Sequence, residues 1–108
     1  MKYTYEFFKG PFNTLMIKLS EKISLVGEVL ENDIQNGDGL FWISRIDKVL
    51  NKELDIIELG GNSCDLEIQR DYTKITHRYI EDENNSCMIE TFELKELILI
   101  WVAENRKI

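Results

Sequence analysis

Apolar side chains recur at Phe12, Leu15, Met16, Leu19, Ile23, Val26, Leu30 and Ile34. That is helical spacing, and it predicts one helix over residues 12 to 35. Pro11 stands where a first helical residue tolerates proline, and Asn36-Gly37 offers a stop. A strand over residues 23 to 30 is the competing reading, and Gly27 costs a helix about 1 kcal/mol relative to Ala. A second helix is predicted from about residue 40 to 51. Its stripe is Trp42, Ile43, Ile46, Val49 and Leu50, and Asp38 is available as its cap. Past Lys52 the period changes from 3.6 to 2, which predicts strands over residues 54 to 59, 63 to 69, 73 to 80 and 86 to 91. Gly60-Gly61-Asn62 reads as the first turn and residues 81 to 85 as the last loop. Thr91 reads as the N-cap of a closing helix, with Glu93 in its first turn and Arg106 and Lys107 after its end. Leu94, Leu97, Ile98, Trp101 and Val102 form its apolar face, and Trp42 and Trp101 belong in or near the core. At the N-terminus Tyr3, Tyr5 and Phe7 alternate, so this segment is expected to be an edge strand, although Phe8 interrupts the pattern.

Pairing arithmetic fixes a register. A turn at Asp71-Tyr72 sets Ile68 opposite Ile75, Leu66 opposite His77 and Cys64 opposite Tyr79. The 81 to 85 loop then sets Tyr79 opposite Cys87, His77 opposite Ile89 and Ile75 opposite Thr91. One face collects Cys64, Leu66, Ile68, Ile75, His77, Tyr79, Cys87 and Ile89. The other collects Asp65, Glu67, Gln69, Lys74, Thr76, Arg78, Met88 and Glu90. A slip of one residue would destroy that separation. The expected fold is a single α+β domain spanning residues 1 to 108, with two N-terminal helices, a four-stranded antiparallel meander and a C-terminal helix packed on one sheet face.

Chemistry is sparse. The one histidine, His77, falls on the face expected to be buried, between Leu66 and Ile89, and reads as a core residue. Pairing it with Cys87 would give a thiol–imidazole couple, but burial of an uncharged thiol opposes activation. Cys64, His77 and Cys87 lack the close spacing of a metal site. In sequential strand order the two cysteines flank the third strand, about 9–10 Å apart, beyond disulfide reach. Residues 33 to 39 fail as a calcium loop, because Gln35 holds the third position and Ser44 the twelfth. No glycine-rich phosphate loop is present. The expectation is a protein without catalytic residues, metal or cofactor.

Charge changes the picture. Of a net −7 in 108 residues, residues 53 to 67 hold −5 and residues 81 to 96 another −5, so the rest of the chain carries +3. An acidic total does not suit a protein that neutralises phosphates, which argues against direct DNA or RNA binding. The hydrophobic fraction of 44% and charged fraction of 31% are those of a globular chain. No apolar run approaches the ~20 residues of a membrane helix. The first residues lack a signal-peptide pattern, and two unpaired cysteines suit a cytoplasmic protein. A Glu58–Asp65 pair is expected across the first hairpin, a like-charge contact that costs a few tenths of a kcal/mol or more. Acids gathered this way either keep a solvated face or steer a basic partner.

Residues 61 to 68 (Gly-Asn-Ser-Cys-Asp-Leu-Glu-Ile), the acidic loop, and residues 87 to 98 (Cys-Met-Ile-Glu-Thr-Phe-Glu-Leu-Lys-Glu-Leu-Ile) ending in Trp101 resemble small bacterial immunity proteins. Such proteins are encoded beside polymorphic or contact-dependent growth-inhibition toxins. The resemblance covers about residues 50 to 105. It implies a non-enzymatic cytoplasmic protein that binds one cognate toxin domain, in some cases a nuclease, and blocks it. The expected contact residues are Glu58, Asp65, Glu67, Glu81, Asp82, Glu83 and Glu90, with Lys74 and Arg78 on the same face making the pairing mixed. A ligand-binding or regulatory accessory domain is the alternative, and a thiol or metal enzyme a further one.

Overall fold

The computed structural model describes residues 1–34 and 39–107. The expected Asn36-Gly37 stop and Asp38 cap lie outside them. Strands β1 (Tyr5–Lys9) and β2 (Leu15–Leu19) pair as a two-stranded antiparallel sheet. A helical turn at Glu21–Ile23, the short α1 (Ser24–Glu28) and a wide π-type turn over Val29–Asp33 follow. Helix α2 (Gly39–Leu50) leads into β3 (Ile56–Gly60), β4 (Cys64–Gln69), β5 (Tyr72–His77) and β6 (Ser86–Glu90). Helix α3 (Thr91–Asn105) closes the chain. The four strands form an antiparallel meander in sequential order. Helices α1, α2 and α3 all pack on one face of it, so the α+β class holds.

The first expected helix is corrected. Residues 15–19 form β2, and helix begins only past Ser20. Leu15 and Leu19 satisfy both periods, and the partner strand decides between them. Tyr5, Phe7 and Lys9 stand opposite Leu19, Ile17 and Leu15, which turns Leu15 and Ile17 into the core. The N-terminal aromatics are therefore half of a separate hairpin instead of an edge of the meander. Phe7 packs its ring 6.3 Å from that of Trp101, and the Ile17 N–H donates to Glu31 Oε2 at 2.9 Å.

The hairpin connection is unusual. Phe12 (φ 57°, ψ 28°) and Asn13 (φ 63°) are both left-handed, and the Thr14 N–H donates to the Pro11 carbonyl at 3.2 Å. Consecutive left-handed residues make a primed turn, matched to strand twist but suited to Asn and Gly. A phenylalanine there costs about 1–2 kcal/mol.

The register differs from expectation by an even number of residues at each hairpin. Ile68 faces Thr73 and Leu66 faces Ile75, because the turn is Arg70-Asp71. Ile75 faces Cys87, because β5 ends at His77 and the following connection is longer. Even shifts keep each side chain on its face. Cys64, Leu66, Ile68, Thr73, Ile75 and Ile89 are buried as an inner layer against Val26, Ile46, Leu94, Leu97 and Ile98. Trp42 and Trp101 are buried too. Two consequences correct the sequence reading. Tyr79 leaves the sheet and is 72% exposed, and His77 moves to the end of β5, half-buried opposite Cys64.

Thr91 is the first residue of α3, not its cap. Its hydroxyl sits 2.9 Å from Thr73 Oγ1 and 2.5 Å from the Gln69 carbonyl, both threonines being buried. The helix start is thereby tied to the β4–β5 hairpin.

Candidate functional site

With the helices on one face, the other face of the meander is uncovered. Three cross-strand rows cross it: Ile56, Gln69, Tyr72 and Glu90; Glu58, Glu67, Lys74 and Met88; Gly60, Asp65, Thr76 and Ser86. The expected Glu58–Asp65 pair is replaced by Glu58 directly opposite Glu67, again two like charges. Both are exposed. Lys74 on the far side of Glu67 offsets part of the repulsion.

The seven expected contact acids separate into two groups. Asp65 is engaged by Arg78, whose Nη1 donates at 2.8 Å while its other terminal nitrogen donates to the Gly61 carbonyl. Glu90 is engaged by Lys2 Nζ at 2.5 Å and the Tyr3 hydroxyl at 2.5 Å. Hydrogen bonds from Lys2 and then Tyr3 hold its carboxyl down to about 2, and the same contact raises the Lys2 ammonium. Glu58 and Glu67 remain exposed on the face without an ion pair among the described residues, Glu67 Oε1 accepting only a long hydrogen bond from Gln69 Nε2 at 3.4 Å. Glu81, Asp82 and Glu83 are exposed in the β5–β6 connection, where Asp82 Oδ1 accepts the Asn84 N–H at 2.8 Å.

Topology brings the open acids together. The β5–β6 connection and the β3–β4 turn lie at one end of the sheet, joined where the Arg78 N–H donates to the Ser63 carbonyl at 3.0 Å. Glu81, Asp82 and Glu83 belong to that end, Glu58 and Glu67 lie together in the middle row next to it, and Glu90 lies at the opposite end beside Tyr72. Apolar groups missed as site residues share the face: Ile56, Tyr72 and Met88 are 43%, 52% and 54% exposed. Outward alternation about each strand could have found them.

The turn at the acidic end is held from below. Asp33, buried, accepts the Ser63 N–H at 2.7 Å and its hydroxyl at 3.1 Å through Oδ1, and the Cys64 N–H at 3.1 Å through Oδ2. A cleft of about 440 Å³ opens beside it, lined by Phe41, Trp42, Leu59 and residues 60–62. Both Asp33 oxygens are already engaged by the turn, so its carboxylate has a structural role there.

The thiol–imidazole geometry is poor. His77 Nδ1 accepts the Tyr79 N–H at 3.1 Å, and its ring meets that of Tyr79 edge-on. Burial pushes the Cys64 thiol up to about 11 and raises that of Cys87. Both thiols are free, on strands that flank β5. Among the described residues no group of three His, Cys, Asp or Glu is arranged to hold a metal, and no helix is long and apolar enough to cross a membrane.

The sequence is 34% identical to a Bacillus cereus protein named "Immunity protein", over 108 residues that cover 99% of this chain and 92% of the relative. No family model and no solved structure matches the chain.

Proposed function

The chain belongs to the immunity proteins, and from that premise we propose that it binds one cognate toxin domain through the acidic end of its uncovered sheet face and blocks it without turnover. The observation that carries this reading is the Glu58–Glu67 pair. Like charges directly opposite on adjacent strands destabilise a sheet by up to about 1 kcal/mol, and both remain exposed and without a base between them. A cost of that kind is consistent with a surface shaped for a basic partner. Met88 in the Glu58–Glu67 row, and Ile56 and Tyr72 in the row beyond it, supply apolar contact area on the same face. A basic substrate groove, as in a nuclease, is the complementary surface. Inhibition by occlusion in the cytoplasm needs no catalytic group on the inhibitor.

The test takes as probe a toxin domain from the genes flanking this one, where systems of this family encode it. Glu58→Lys turns a repulsion into an attraction to Glu67, so the melting temperature is expected to hold or rise. Association with the toxin domain should slow and affinity fall. For the wild type, association should slow between 0.1 and 1 M salt as the Debye length falls from ~10 Å to ~3 Å. Undiminished binding and protection by Glu58→Lys would refute the acidic-face mechanism.

A further inference from the structure

We propose that Phe12, at the tip of the β1–β2 hairpin, is an aromatic anchor that enters an apolar pocket of the same toxin domain, a second contact apart from the acidic face; the inference rests on the immunity reading. Phe12 is 102% exposed, so its ring contributes nothing to the core. It also occupies a left-handed turn position that Asn or Gly would fill at lower cost. Folding accounts for neither feature, and backbone outliers of this kind gather at sites that engage ligands.

The tip is built to hold the backbone that carries the ring. Three backbone hydrogen bonds close the loop: Gly10 N–H to the Thr14 carbonyl at 2.8 Å, Asn13 N–H to Gly10 at 3.2 Å, and Thr14 N–H to Pro11 at 3.2 Å. The root is fixed by buried Leu15 and Ile17 and by Phe7 against Trp101. On a fixed backbone an aromatic has only its two side-chain torsions to order on binding, a small cost for a large contact area. Phe8, 45% exposed and paired outward with Met16, extends the apolar surface beside it.

Size and charge select the occupant. Lys9 is the last β1 residue before the tip, while Lys18 lies nearer the root opposite Glu6; the tip itself carries one base and no acid, so the receiving pocket has a neutral or acidic lip. An aromatic side chain buries about 150–250 Å², so Phe12 with parts of Phe8 and Met16 offers far less than the ~800 Å² per partner of a stable dimer. One anchor within a larger toxin interface fits; self-association through this tip does not.

The experiment compares wild type, Phe12→Asn and Glu58→Lys, with the same toxin domain as probe. Phe12→Asn is expected to stay monomeric and melt a few degrees higher, because Asn suits the turn. Its affinity should fall about thirtyfold or more, mostly through faster dissociation. Wild-type affinity in Phe12→Asn overturns the anchor while leaving the immunity reading intact. Wild-type protein that does not bind the toxin domain overturns both. A wild-type dimer that Phe12→Asn disperses overturns the anchor too, by making a second copy the occupant.

Discussion

Truncating Asp33 to Ala should loosen the turn at the acidic end of the sheet and destabilise the whole fold. The side chain is 6% exposed and joins the end of the π-type turn to the β3–β4 turn by three hydrogen bonds. Hydrogen bonds to a charged group contribute about 1.5–3 kcal/mol each, and a buried donor left unmade costs about 1–3 kcal/mol. Ser63 is half-buried, so water can replace its share. The Cys64 N–H belongs to a residue with no exposure and has no such relief. The net loss is therefore about 2–4 kcal/mol, a fall of about 8–16 °C at ~4 °C per kcal/mol. Space is as tight as the bonding: a Cβ on Gly61 would stand 2.4 Å from the Asp33 Cβ and Cγ, so the turn packs directly on the side chain that the substitution removes. Thermal melting followed by circular dichroism gives the total, and hydrogen exchange at the Cys64 amide localises it. If Asp33→Ala melts within about 2 °C of wild type with that amide still protected, the clamp is not what holds the turn.

Glu90 gives the acid response. Its carboxyl is held at about 2 against an ordinary 4.5, so the Lys2–Glu90 pair adds stability above pH 4.5 and loses it as pH falls toward 2. Melting temperatures of wild type and Glu90→Gln should therefore converge on acidification, and a gap that widens in acid would contradict the assignment. Cys64 and Cys87 should both react slowly with a thiol reagent at pH 8, Cys64 being the more hindered, and both quickly in denaturant. A fast native thiol or a disulfide in the isolated protein would contradict the burial that raises them.

The elements most legible in the chain were those whose periodicity admits one answer. Helix α2 keeps its stripe of Trp42, Ile43, Ile46 and Val49 in the core, and the meander emerges from alternation alone. Residues 15–19 were not legible by that route, because Leu15 and Leu19 fit a helix and a strand equally. Only the pairing with β1, a tertiary fact, settles them. Register shows how far alternation reaches. It determines the face of every strand residue, yet shifts by two or four leave all faces unchanged. Such a shift is enough to carry His77 from the middle of a buried layer to the end of β5.

The candidate site divides along the same line. Acid density is a property of the sequence, but which acids remain open depends on where bases arrive. Arg78 reaches Asp65 across 13 positions and Lys2 reaches Glu90 across 88, the second through an N-terminal arm whose course no local pattern contains. What the fold adds is a way to rank what is left. Most of the chain obeys its local rules: apolar residues face inward, the buried threonines share their hydroxyls, and no buried side-chain polar atom among the described residues lacks a partner. Glu58 facing Glu67 and Phe12 in a left-handed turn break those rules in full view of solvent, where substitution would be easy. Departures that persist without a folding benefit are where function is to be sought. Each has a variant, Glu58→Lys or Phe12→Asn, expected to stabilise the free protein while weakening its complex. That opposite movement separates a binding residue from a merely tolerated one, since a tolerated residue would gain stability and lose nothing.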